Sequence, residues 1–91
     1  MFFAFIMMGP FGKDDRAMIK GENAVIGVSS LDEAVEEAKR LESEGCRAIE
    51  LCGAFGEDGA RRIIEATGHR IAVGYVTHFP EDDPIFKEVW G

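Results

Sequence analysis

The chain has 91 residues, which suits one domain over residues 1–91 and leaves no room for a second. Its net charge of −7 argues against nucleic acid and anionic membrane surfaces as partners, because binding to phosphate groups needs clustered lysine and arginine. The opening apolar run, residues 1–8, is far shorter than the ~20 residues of a membrane-spanning helix. It also lacks the basic start of a signal peptide, so we expect no membrane segment.

The first predicted elements are two apolar strands. Residues 2–8 form the first strand, and Gly9-Pro10 ends it. Residues 11–21 form a polar connection near the length limit of an unstructured loop, so we expect it to fold in part or to act as a flap. Residues 24–28 contain no polar side chain and predict the second strand.

A long amphipathic helix follows. Ser30 and Glu33 have the spacing of a capping box, and Gly45 is the expected end of the helix. Between them, apolar residues recur at helical intervals and predict one buried side: Leu31, Ala34, Val35, Ala38 and Leu41.

The second half of the chain repeats the strand-helix order. Residues 47–52 predict a buried strand, followed by a glycine-rich turn and a helix that starts near Glu57-Asp58 and ends at Gly68. Residues 71–77 predict the last strand. Asp83-Pro84 then predicts the start of a final helical turn that holds Ile85, Phe86, Val89 and Trp90.

This order predicts an α/β fold with a small, mostly parallel, four-stranded sheet in the sequence β-β-α-β-α-β, ending in a short helical turn. We expect a half-TIM-barrel-like arrangement or an open sandwich. If both crossovers advance in one direction, as in a barrel, both helices lie on one face of the sheet. The strands are nevertheless apolar on both faces. Something must cover the second face, and a second copy of the chain would do so, which predicts a homo-oligomer, most simply a dimer. A doubly wound order with one helix per face is the alternative.

Three residues are candidates for catalysis. Glu50 interrupts an apolar strand, where burial would raise the pKa of its carboxyl and suit it to act as a base. Cys52 lies near a predicted helix start, which favours a thiolate, and His78 follows the last strand at the same edge of the sheet. The alternative is that Glu50 lies at a sheet edge or pairs with a basic residue, while Cys52 is inert and His78 lies on the surface.

The carboxyl edge of the sheet is also a candidate binding site for a small anionic metabolite, because amide groups at helix starts favour anions. The candidate binding residues are hydroxyl and turn residues at that edge: Ser29, Ser30, Gly53, Ala54, Phe55, Gly56 and Thr77. Glycine in such a turn is equally explained by backbone geometry. No ligand spacing marks a metal site, and no cofactor motif is present.

Cys46 and Cys52 lie at the two ends of one predicted strand. Their Cα atoms would then be ~20 Å apart, too far for a disulfide bond. We therefore expect free thiols and a cytoplasmic location.

Two motifs together carry a resemblance: residues 50–56, Glu-Leu-Cys-Gly-Ala-Phe-Gly, and residues 73–78, Val-Gly-Tyr-Val-Thr-His. On these motifs the chain resembles a family of small prokaryotic proteins known only as a domain of unknown function. The resemblance covers most of the chain and implies a compact α/β domain. It implies no activity and no site residues.

Whether the protein is an enzyme stays open at this point. The sequence supports two hypotheses: an oligomeric α/β domain that binds a small anionic metabolite, and a protein-interaction or structural module without catalytic activity.

Overall fold

The computed structural model describes residues 2–91. Its five strands are β1 (Phe3–Met8), β2 (Arg16–Ile19), β3 (Asn23–Val28), β4 (Ala48–Leu51) and β5 (Ala72–Tyr75). Its three α-helices are α1 (Leu31–Ser43), α2 (Gly56–Ala66) and α3 (Asp83–Trp90). Short 3₁₀ turns at Gly53–Phe55 and Pro80–Asp82 precede α2 and α3. The prediction of an α/β fold with a mostly parallel sheet is confirmed.

The sheet has the order β2-β3-β1-β4-β5, in which only β2 is antiparallel to its neighbour. The predicted four-strand sheet and the half-TIM-barrel-like order are therefore wrong in detail. β1 lies in the middle, since β3 pairs with one of its sides and β4 with the other. The fifth strand, β2, comes from the connection that the sequence analysis left largely unassigned.

A tight two-residue turn explains how β2 pairs with β3. Lys20 and Gly21 have φ angles of 56° and 70°, and the N–H of Glu22 donates to the carbonyl of Ile19 at 3.2 Å. Positive φ at both central positions is the geometry of the hairpin turns that match the twist of paired strands. The short antiparallel hairpin returns the chain so that β3 runs parallel to β1.

Both long helices end as the glycines predict. The N–H of Gly45 donates to Glu42 and that of Cys46 to Leu41, at 3.0 and 2.9 Å, and Gly45 has φ 97°. The same two-bond pattern recurs after α2, where Gly68 has φ 61°. This pattern satisfies the last carbonyl groups of each helix and favours glycine at the position with positive φ.

The core lies between one face of the sheet and the helices α1 and α2, which contact each other. Alternate strand residues point into it, so that Ala4, Ile6, Ile26, Ile49 and Leu51 are almost fully buried. From the helices, the apolar residues of α1 together with Ala60 and Ile63 of α2 complete the core. Of the two arrangements that the sequence left open, this packing is the one with both helices on the same face, and the opposite face of the sheet carries no helix from residues 2–91.

Candidate functional site

The uncovered face of the sheet is its most conspicuous surface. We define the open face as the strand side chains that point away from α1 and α2: Ala17, Ile19, Asn23, Val25, Phe3, Phe5, Met7, Ala48, Glu50 and Ala72. Phe3 is 40% exposed and Ile19 is 53% exposed, although both belong to strands. Phe11 lies over this face at Gly27, where an added Cβ would lie 2.8 Å from the phenylalanine side chain.

Glu50 lies on the open face and is exposed. Its register places it between Phe5 of β1 and Gly74 of β5, and its carboxylate lies over Gly74, where an added Cβ would be 2.7 Å from Oε2. The expectation that the strand buries this carboxylate is therefore wrong for a single chain, because the helices pack on the other face. Glycine at position 74 leaves the space that the carboxylate occupies.

Cys52 is half-buried and packs against the core, one residue past the end of β4. Its Sγ accepts a hydrogen bond from the N–H of Met8 at 3.3 Å. This contact ties the ends of β1 and β4 together and gives the thiol a structural role. The other cysteine, Cys46, is buried, and burial raises the pKa of its thiol; both cysteines are free.

His78 makes its contacts within the C-terminal segment. Its Nε2 lies 2.6 Å from Oδ1 of Asp83, and its ring stacks on Phe86 with 3.7 Å between the ring centroids. Among residues 2–91 no hydrogen bond joins His78 to Cys52 or Glu50. The structure therefore does not assemble the three catalytic candidates into one set, and their catalytic role stays a prediction.

The amino end of α1 is capped by side chains of the chain itself. The Oγ of Ser30 accepts the N–H of Glu33 at 3.1 Å, as the capping-box spacing predicts. The carboxylate of Glu33 accepts the N–H of Ser29 at 2.8 Å and its hydroxyl at 3.0 Å. The backbone N–H of Ser29, followed by its hydroxyl, lowers the pKa of Glu33. A carboxylate of the chain thus already occupies the groups that were candidates for an external anion.

The glycine-rich turn is also partly occupied. The N–H of Phe55 donates to the carbonyl of Cys52 at 3.1 Å, and the N–H of Gly56 donates to the carbonyl of Gly53. The Phe55 side chain is buried against Gly59, so it belongs to the core. Of the candidate turn residues, Gly53 and Ala54 keep the anion-binding prediction, together with the exposed Thr77 beyond β5.

Acidic residues surround this edge. Asp32 and Glu33 lie in the first turn of α1, and Glu57 and Asp58 lie in the first turn of α2. Of these carboxylates, Glu33 already binds the N–H of Ser29, whereas Asp32 pairs with Arg62 and Glu57 pairs with Arg61. Negative charge at the amino end of a helix would repel a second anion. The small anionic metabolite therefore stays a prediction that the local charge opposes.

Two surface cavities lie along α1: the first is at the end of the helix, and the second reaches the carboxyl edge of the sheet, because Val28, Asp32 and Glu33 lie in its wall. One, of about 340 Å³, is bounded by β2 and the end of α1 and includes Met18 and Leu41 in its wall. The other, of about 540 Å³, is bounded by the connection after β1 and includes Lys13 and Glu36. Neither has Cys52 or His78 in its wall. Over residues 2–91 no three side chains of the metal-binding types come together, and no helix is long and apolar enough to cross a membrane.

In a comparison with known families, a family model matches residues 1–91. The chain belongs to DUF6506, a family of unknown function. No curated protein and no solved structure matches the chain. The resemblance drawn from the two motifs is confirmed, and membership of the family assigns no activity and no residue roles.

Two exposed features of this family member were not among the candidate site residues predicted from the sequence. The first is the edge of the open face formed by β2, whose signal was the apolar run Ala17-Met18-Ile19 before a Lys-Gly turn. The second is Phe79, an exposed aromatic residue in the C-terminal segment next to the residues predicted for the final helix.

Proposed function

We propose that this chain is a self-associating α/β module whose open face is an interaction surface, and that its partner is a second copy of the chain. One observation carries the proposal: the central strand β1 presents the exposed Phe3 and the half-buried Phe5 and Met7 on a face that no helix of residues 2–91 covers. Exposed apolar patches larger than a few hundred Å² are typical of interaction sites.

The size of the chain supports the same proposal. A domain of about this length buries only some 60–65% of the surface that its unfolded chain exposes, so its stability on its own is marginal. Covering the open face would remove further apolar surface from water at about 25 cal/mol per Å². The free thiols support the prediction of a reducing, cytoplasmic location.

Sedimentation equilibrium and light scattering test the proposal with a matched pair of variants. Ile19 and Met18 are neighbours on β2 with 53% and 55% exposure, but Ile19 lies on the open face and Met18 on the other. Ile19→Lys is expected to weaken self-association at least about tenfold, because covering an unpaired ammonium group costs more than about 1.4 kcal/mol. Met18→Lys is expected to leave it unchanged.

Phe3→Lys, on the central strand, is expected to weaken self-association more than Ile19→Lys does. A wild-type chain that stays monomeric from micromolar to submillimolar concentration would refute the proposal. Equal weakening by the Met18 and Ile19 variants would also refute it, because the interaction would then not depend on the open face.

A further inference from the structure

The C-terminal arm, which we define as residues 77–91, projects from the domain. Every residue of the arm is exposed, and the main contact of α3 is with the 3₁₀ turn before it rather than with the sheet or the other helices. The radius of gyration is 13.3 Å, whereas a compact chain of this length has about 12 Å. The arm accordingly contributes little to the core of its own chain.

The arm is nevertheless ordered within itself and strongly apolar on one side. Pro84 lies in the first turn of α3, and the contacts of His78 with Asp83 and Phe86 hold the segment before α3 against the helix. Four apolar residues then share one side of the helix and are exposed: Ile85, Phe86, Val89 and Trp90. Trp90 is 80% exposed, which is unusual for the largest apolar side chain of a chain this small.

We propose that the arm of one copy docks on the open face of a second copy, and that the exchange is reciprocal in a two-fold symmetric dimer. This inference rests on the proposed self-association and names the segment that covers the open face. The same chain carries two exposed apolar surfaces, and in a single copy neither covers the other. In a two-fold symmetric dimer, the arm of each copy covers the open face of the other, so that both surfaces are buried at once, as a symmetric interface requires.

The areas agree with such an exchange. With aromatic side chains offering about 150–250 Å² each, the exposed apolar side chains of one arm present about 600 Å². Two arms and the two patches that they cover would bury about 2,400 Å², more than the 1,200–2,000 Å² of a standard stable interface. One arm docked on an unrelated surface would bury about 1,200 Å², the lower end of that range.

The length of the helix also fits the width of the sheet. The eight residues of α3 span about 12 Å, which matches two to three strands spaced about 4.8 Å apart. The partner's helix would therefore cover β1 and its neighbours, where Phe3, Phe5 and Ala48 lie, and the rest of the arm would extend over Ile19 of β2. It would supply the third layer of an α/β/α arrangement that each chain lacks by itself.

The single tryptophan of the chain reports directly on the arm. The full-length protein is diluted through its dissociation range while its mass, tryptophan emission and quenching by acrylamide are followed together. The proposal predicts blue-shifted, protected Trp90 emission in the dimer, which shifts to the red and becomes quenchable as the mass falls to that of a monomer. Val89→Lys, on the apolar side of α3, is expected to weaken dimerisation at least tenfold, and Glu88→Lys, on the neighbouring side, is expected to leave it within twofold.

Disulfide trapping locates the arm. In a Cys52→Ser background, a chain carrying Ala48→Cys is mixed with a chain carrying Val89→Cys and oxidised. The proposal predicts a mixed disulfide between the two chains as the main product, with much less from either chain alone.

The outcomes separate the two proposals. A dimer in which Trp90 stays exposed and Val89→Lys has no effect would overturn the arm exchange and leave the open face as the interface. Protected Trp90 emission in a monomer would show the arm docked on its own chain and would overturn the exchange. A chain that is monomeric at every concentration would overturn both proposals.

Discussion

Replacing Ser30 by alanine is expected to destabilise the fold by about 1 kcal/mol, because the N–H of Glu33 then loses its partner at the start of α1. For a domain of this size, that change lowers the melting temperature by about 5 °C. The cap matters because α1 contributes four of the buried core residues, Ala34, Val35, Ala38 and Leu41. Fraying of its first turn therefore loosens packing against β1 and β3.

The structure also supplies controls for this change. Ser30→Asp retains an acceptor for the N–H of Glu33 and is expected to stay within about 0.5 kcal/mol of the wild type. Ser29→Ala removes one hydroxyl contact to Glu33 but keeps the backbone N–H that binds the same carboxylate, so its effect is expected to be smaller than that of Ser30→Ala.

The pH dependence gives a second measurement. The pKa of Glu33 is lower in the folded chain because the Ser29 N–H and hydroxyl bind its carboxylate. The stabilisation that Glu33 gains from Ser29 is therefore fully present above pH 4.5, the ordinary pKa of the carboxyl group. It is lost as the pH falls through the lower pKa that Glu33 has in the folded chain. Urea unfolding from pH 7 to pH 3, at one fixed protein concentration, is the assay.

If Ser30→Ala has the same melting temperature as the wild type, or Ser30→Asp is as unstable as Ser30→Ala, the cap does not stabilise α1 and the reasoning is refuted.

Three further predictions follow from the core, the surface charges and the carboxyl edge. Ile63→Ala is expected to lower the free energy of unfolding by about 3 kcal/mol because the side chain is fully buried, whereas Ile64→Ala, at a half-buried position, is expected to lower it by about 1 kcal/mol. Equal losses in urea unfolding would contradict the packing of α2. The pKa of Glu42 is lowered by its hydrogen bond from Arg70. Glu42→Gln and Arg70→Gln are therefore both expected to reduce the loss of stability below pH 4.5, and an unchanged dependence of stability on pH in this range would refute the pairing. If a small phosphate or carboxylate compound binds at the carboxyl edge, it must raise the melting temperature of the wild type and raise it less in the variants of the candidate residues; equal shifts in every variant would remove the site. Those variants are Glu50→Gln, Cys52→Ala and His78→Ala.

Local features of the sequence were sufficient to predict most of the elements. The cap at Ser30, the apolar spacing after it and Gly45 specify α1 without any tertiary contact, because each acts within a few residues. The apolar runs likewise predict β1, β3, β4 and β5, although β1, β4 and β5 are one to three residues shorter in the structure than predicted and β3 is one residue longer. β2 was missed because it is a four-residue edge strand with every residue exposed, so its residues show no burial pattern.

The order of the strands and the arrangement of the candidate site were decided only by the tertiary structure. Each strand is apolar on both sides, so the sequence pattern cannot determine which strands pair or which face the helices cover. The hairpin at Lys20-Gly21 set β3 parallel to β1, and the pairing of β4 with the other side of β1 made β1 central. Both helices packed on one side of the sheet. That packing left Glu50 exposed on the open face, while Cys52 turned towards the core and His78 contacted the arm. The sequence by itself determined that a second apolar face exists, since alternation along a strand is local. Which residues lie on that face depends on long-range pairing, and only the folded chain decided it.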